Sequence, residues 1–136
     1  MQRINPYLTF AGNCRQAMNF YKACIGGELS VIVVGESPVA GQVPANMQQQ
    51  LLHAHLITGN VEIMATDMRP VPMQPGNDVH LCLICNDEAE LRHLFSLLVE
   101  GGNINQPIQK MFFGWIGVLT DQFGKRWILE CGEEAA

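Results

Sequence analysis

Residues 6–27 and 81–102 carry one pattern twice, at a constant spacing of 75, and this repeat restricts the chain to folds built from two copies of a single unit. At that spacing Leu8 falls on Leu83, Phe20 on Phe95, and Gly26-Gly27 on Gly101-Gly102, without a gap. The copies end in matching segments at a spacing of 65, with Gly59 on Gly124 and Ile63 on Ile128. The second copy therefore lacks a piece of loop present in the first.

Both copies run through the same elements. A strand comes first (Ile4–Phe10; Val79–Cys85). A helix follows, its apolar residues recurring at helical spacing: Ala17, Met18, Tyr21, Cys24 and Ile25, then Leu91, Leu94, Phe95, Leu98 and Val99. Asn13 or Asp87 is placed to cap it, and Gly-Gly to stop it. Three β-rich runs complete each copy: Leu29–Val34, Leu51–Thr58 and Val61–Thr66, then Ile104–Met111, Trp115–Thr120 and Arg126–Cys131. The reading is α+β: tandem βαβββ modules, 1–68 and 78–136, joined by the proline-rich linker 69–77 within one domain of 136 residues. One helix covers only one face of a four-stranded sheet, so two such sheets are expected to form a cupped, barrel-like core with helices outside.

Composition narrows the partners. Hydrophobic residues are 48% of the chain and charged ones 15%, which is core-forming material. The net charge is -5 with no basic run, which argues against nucleic acid. No apolar run approaches the ~18 residues needed to cross a bilayer, and no leader-like stretch opens the chain, so no membrane partner and a cytoplasmic location are expected. Cysteines at 14, 24, 82, 85 and 131 make an odd, scattered set and suggest free thiols. Cys82 and Cys85 have the spacing of redox and zinc sites, but on a strand residues three apart point to opposite faces.

Strand period places candidate functional residues. Asn5, Tyr7 and Thr9 alternate with Ile4, Pro6, Leu8 and Phe10, and His80, Cys82 and Ile84 alternate with Leu81, Leu83 and Cys85. The apolar sides suit the helices, which turns the polar sides toward a hollow where convergent polar groups suggest a binding site. His53 and His55 share a face, Glu130 faces with Ile128, and the repeat makes Ala65 the equivalent of Glu130. Each has a plainer role open to it: His53 and His55 as solvent or dimer contacts, His80 as a satisfied core histidine, Glu130 as a solvated edge, and Phe112, Phe113, Trp115 and Trp127 as core.

Together with the tandem modules, the segments Asn5-Pro-Tyr-Leu-Thr-Phe-Ala-Gly-Asn13, Phe20-Tyr21, His53-Ala54, Phe113-Gly114, Leu119-Thr-Asp121, Phe123-Gly124 and Trp127 resemble the PhnB-like branch of the vicinal oxygen chelate superfamily. That superfamily includes glyoxalase I, bleomycin-resistance proteins and extradiol dioxygenases. Phe112-Phe113-Gly114 stands where the branch usually has Phe-Trp-Gly. The resemblance implies a homodimer, a cupped site, and in metal-dependent relatives four ligand positions, which the repeat maps near Asn5, Ala65, His80 and Glu130. Only His80 and Glu130 are ligand types, so no tight metal or other cofactor is expected, although His53 or His55 joining them leaves a divalent metal possible. Some relatives carry a ubiquinone-pathway methyltransferase label, but the chain has no glycine-rich strand-to-helix turn for a nucleotide cofactor.

The expectation is a protein that binds a small organic molecule, with Tyr7, His53, His55, Phe113 and Trp115 shaping the pocket and His80 and Glu130 orienting the ligand or exchanging protons. The alternatives are a metal-dependent lyase, isomerase or dioxygenase using His80 and Glu130, and a structural dimer with a filled hollow. The loop 35–50, with Met47 and Gln48-Gln49-Gln50, is a candidate lid.

Overall fold

The computed structural model describes residues 2–69 and 72–132, so Pro70 and Val71 of the linker lie outside the described residues. The chain divides into two compact units, residues 1–74 and 75–136. In the first, β1 (Tyr7–Thr9), α1 (Cys14–Ile25), β2 (Glu28–Val33), β3 (Leu51–Thr58) and β4 (Val61–Thr66) give a sheet of order β1-β4-β3-β2. In the second, β5 (Leu81–Ile84), α2 (Glu88–Leu98), β6 (Asn103–Met111), β7 (Gly114–Thr120) and β8 (Arg126–Gly132) repeat it as β5-β8-β7-β6. In each sheet the first strand runs parallel to the last and the other pairings are antiparallel. The α+β class and the two βαβββ units agree with the sequence reading.

Each helix lies on one face of its own sheet. α1 buries Cys14, Ala17, Met18 and Tyr21, and the strands under it bury Ala54, Leu56, Ile63 and Ala65. α2 buries Leu91, Phe95 and Leu98, with Leu119, Trp127, Leu129 and Cys131 buried on the sheet. The approach is closest at Gly117, where a β-carbon would stand 2.7 Å from the Phe95 ring. Gly26 caps the end of the first helix, and at Gly27, with φ +101, a side chain would strike the Ile57 carbonyl.

The two helix starts differ. Asp87 caps α2 as expected, its Oδ1 accepting the Glu90 amide at 2.8 Å while Glu90 Oε1 accepts the Asn86 amide at 2.9 Å. Asn13 makes no side-chain cap. That role falls to Asp67, just past β4, which is buried and accepts three backbone amides: Gly12 and Cys14 on Oδ1 at 2.9 and 3.0 Å, and Leu51 on Oδ2 at 2.9 Å. One carboxylate thus ties the helix entry to the first residue of β3. In the second unit Asp121 accepts the Phe123 and Lys125 amides and, at 2.9 Å, the indole Nε1–H of Trp127.

Ladder register corrects one equivalence. Leu8 pairs with Ala65 and Leu83 with Leu129, so the counterpart of Ala65 is Leu129, and both are buried beneath their helices. Glu130 corresponds to Thr66 instead. The glycines misled because the Gly59 turn joins Thr58 to Val61 while the Gly124 loop joins Thr120 to Arg126, and a shift of one residue exchanges the faces of a strand.

The 35–50 segment forms three short 3-10 turns, Val34–Glu36, Ala40–Gln42 and Ala45–Met47. Gln48 holds them together: Nε2 donates to the Ala40 and Val43 carbonyls at 2.8 Å each, and its own carbonyl accepts the Gly35 amide.

Candidate functional site

The face of each sheet turned away from its helix carries the polar candidates. In the first unit His53 and His55 follow the buried Leu51 on β3 and point opposite to Ala54 and Leu56. Across the ladder His55 stands beside Met64, which pairs in turn with Tyr7. Register therefore brings three of the sequence candidates, Tyr7, His53 and His55, onto one surface.

Two of them share a hydrogen bond and the third meets them through a ring contact. Tyr7 Oη and His53 Nδ1 are bonded at 3.0 Å, with the two rings 5.7 Å apart. The His53 and His55 rings meet edge to face at 6.0 Å. His55 Nε2 donates to Glu62 Oε1 at 2.7 Å, and Arg3 Nη2 donates to both Glu62 oxygens at 2.9 and 2.8 Å. Glu62 and Arg3 were not among the sequence candidates. Period two along Val61–Thr66 puts Glu62 with Met64 on the open face, but Arg3 lies before the first strand, where no periodicity speaks for it.

Chemically, this is an oriented polar chain on an apolar floor. Glu62 fixes the orientation of the His55 ring, while the second ring nitrogens of both histidines have no protein partner among the described residues. Apolar groups stand exposed on the same face, Tyr7 at 49%, Ile32 at 47% and Ile57 at 48%.

The second unit's open face is arranged differently. Cys82 and Ile84 of β5 lie on it with Ile128 and Glu130 of β8, whereas Cys85 is buried on the helix side, so the two thiols of the Cys-x-x-Cys diverge as the strand period predicts. Desolvation, and after it the Glu130 carboxylate two residues further along the same face, pushes the Cys82 thiol above its ordinary range. Burial, with Glu90 next in weight, pushes Cys85 up to about 12. His80 precedes Leu81 and shares the face of Cys82, but Glu130 pairs with Ile84, four residues further along β5, or roughly 13 Å. Two further candidates are placed apart from these. Trp115 lies on the helix side, with the Arg92 guanidinium of α2 5.2 Å from its ring centre, and Phe113 stands in the β6–β7 turn against Phe112, which is 93% exposed.

The ligand positions implied for a metal do not fit one ion. Ladder register moves the position equivalent to Glu130 from Ala65 to Thr66, whose hydroxyl donates to the Leu52 carbonyl, His80 and Glu130 stand four residues apart along the sheet on side chains roughly perpendicular to it, and among the described residues no three His, Cys, Asp or Glu side chains come together to hold a metal. Beside His53 and His55 the Glu62 carboxylate is taken up by His55 Nε2 and Arg3, and these side chains form no group able to hold a metal.

Residues 2–129 match the family described as 3-demethylubiquinone-9 3-methyltransferase. The chain belongs to this family. Protein YjdN of Escherichia coli is 31% identical over 136 residues, covering 93% of this chain and 92% of that protein. Among solved structures, protein PA1353 from Pseudomonas aeruginosa superimposes with a TM-score of 0.88 at 34% identity, covering 98% of this chain and 100% of the other. A PhnB protein from Bacillus cereus gives 0.73 at 24% identity, covering 96% and 100%. Glyoxalase-related and bleomycin-resistance structures share the fold at 16% and 17% identity. No helix among the described residues is long and apolar enough to cross a membrane.

Proposed function

We propose that this PhnB-like protein binds a small organic ligand on the open faces of its sheets, acts as a cytoplasmic homodimer, and needs no tightly held metal. The observation that carries the reading is the Tyr7–His53 and His55–Glu62–Arg3 chain set among exposed apolar side chains. A few convergent polar groups on an otherwise apolar surface are the common make-up of a ligand site. The exposed Tyr7, Ile32 and Ile57, and Ile84 at 73%, supply apolar area for ligand and second subunit to cover. In this reading His53 and Tyr7 orient the ligand, and His55, positioned by Glu62, is the group best placed to take or give a proton. Phe113, in its turn, adds apolar area.

The family description names a methyl transfer, which belongs to the family's label; the support on this chain is for ligand binding. A library of small organic acids, alcohols and amides, titrated into isotope-labelled protein, tests the reading. Shifts at Tyr7, His53 and His55, weakened about tenfold or more in Tyr7→Phe and His53→Ala, are expected. Absence of binding would replace it with the structural dimer, and stoichiometric zinc, nickel, iron or manganese uptake abolished by His80→Ala with the metal-dependent enzyme. Saturable binding of S-adenosylmethionine would favour the transferase. Sedimentation equilibrium reads the dimer directly.

A further inference from the structure

We infer that the second unit's open face holds the anionic group of an organic acid, with Arg126 as its anchor. The inference rests on the proposed binding of a small ligand and narrows it to a class. Arg126 begins β8 on the face of Ile128 and Glu130, one position before the Leu81–Trp127 rung, and His80 immediately precedes β5, one position before the same rung. The guanidinium is half-buried and makes only neutral contacts: Nε donates to the Gly76 carbonyl and Nη1 to Thr120 Oγ1, each at 3.3 Å. No acidic side chain pairs with it among the described residues. Two of its five N–H donors are used and three remain.

The neighbours are set to donate as well. Thr120 Oγ1 accepts from Arg126, so its single hydrogen goes to Asn105 Oδ1, 2.7 Å away. That bond fixes the Asn105 amide with its oxygen inward and leaves the NH2 group free to donate. An arginine fork and an amide NH2 thus stand at one end of the face, a donor set suited to a carboxylate, with His80 at the matching chain position next to β5.

The rest of the face limits the acid's body. The next positions from Arg126 are Ile128 on β8, Val118 on β7 and Cys82 on β5, all on the open side. Beyond them, four residues or roughly 13 Å from Arg126, stands Glu130 beside Ile84 and Ile116. An apolar body fits the middle, and Glu130 disfavours a second negative charge at the far end. The geometry selects a monocarboxylate whose distal end is neutral or cationic over a dicarboxylate of the same length.

The test uses 3-phenylpropanoate, the neutral 3-phenylpropanamide, and the dicarboxylate suberate, followed by NMR on the full chain including the Arg126 Nε–H signal. The monocarboxylate is expected to bind about tenfold or more tightly than the amide and than suberate. Arg126→Gln is expected to erase that preference, and Arg126→Lys, which keeps charge but loses the fork, to retain part of it; an unchanged backbone spectrum shows that each variant is folded. Equal affinity for acid and amide, or a preference that survives Arg126→Gln, overturns the carboxylate anchor. If probes shift Tyr7, His53 and His55 with no preference for the acid, the anchor fails while ligand binding stands. No shift on either face overturns both.

Discussion

Replacing Asp67 with Asn should cost the first unit about 3–5 kcal/mol, because one carboxylate serves three buried backbone amides at 2.9 to 3.0 Å. An asparagine oriented to keep Gly12 and Cys14 on its oxygen presents its NH2 to the Leu51 amide, donor against donor. The Leu51 bond is then lost and a buried N–H left unsatisfied, at about 1–3 kcal/mol, while the other two fall from charge-assisted to neutral strength, at about 1 kcal/mol each. Against a total stability of roughly 5–15 kcal/mol this is large but survivable, which makes Asn a better probe than Ala. Urea unfolding of wild type and Asp67→Asn, followed by far-ultraviolet circular dichroism, gives the difference from midpoints at a shared slope. Exchange of the Leu51 amide, normally protected, should accelerate, and the Tyr7–His53 contact should loosen, since Leu51 begins the strand that presents His53. A stability loss below about 1 kcal/mol, or unchanged Leu51 exchange, would show that Asp67 does not hold this corner.

Three further outcomes follow from the second unit. Gly117→Ala drives a methyl into the Phe95 ring and within 3.0 Å of Ile108, and should destabilise by about 1–3 kcal/mol in chemical unfolding, with Phe95→Leu recovering part of the loss in the double variant. Cys85, held as a thiol up to about 12 when folded and only to 9.0 when unfolded, keeps its proton where the unfolded chain releases it. Its stabilisation is therefore complete below pH 9 and is lost as pH rises toward 12, so wild type should lose more stability than Cys85→Ala across the alkaline range; parallel curves would refute this. Cys82, exposed but raised by desolvation and by Glu130, should react with iodoacetamide more slowly at pH 7.5 than a free cysteine, and Glu130→Gln should speed it; an unchanged rate would separate the two side chains.

The architecture was legible in the sequence because period and punctuation agree. Leu51–Thr58 and Val61–Thr66 were placed to the residue by alternation around Gly59-Asn60, and α1 and α2 by apolar spacing ended at paired glycines. Tyr7, His53 and His55 came to one face for the same reason. Other features left no local mark. Asp67 caps α1 across 53 residues, and nothing near Asn13 announces that the nearer side chain is passed over. Arg3 finds Glu62 across 59 residues from a segment without strand period. Trp115 was assigned to a pocket by size and chemistry, but its strand parity matches buried Gly117 and Leu119, and it lies under Arg92 instead.

The treatment of Ala65 and Glu130 as equivalents shows why function in a duplicated sheet has to be mapped through ladder pairs. Aligning Gly59 with Gly124 conserves the turn residue but not the number of residues between paired strands: Ala54 to Ala65 spans eleven positions, and Gly117 to Leu129 spans twelve. The odd difference reverses every side chain that follows, so a position under the helix is matched with one on the open face. Once the pairs set the frame, the counterpart of Glu130 is Thr66, a hydroxyl that already donates to the Leu52 carbonyl at 2.8 Å. On the first unit's open face Glu62 is joined to Arg3, with Glu28 beyond Ile57 on β2, while on the second unit's Glu130 and Arg126 stand four residues apart on one strand with Ile128 between them. A paired charge fixes a histidine and a separated one remains open to a ligand, so the two copies of one fold have diverged in what their open faces can hold.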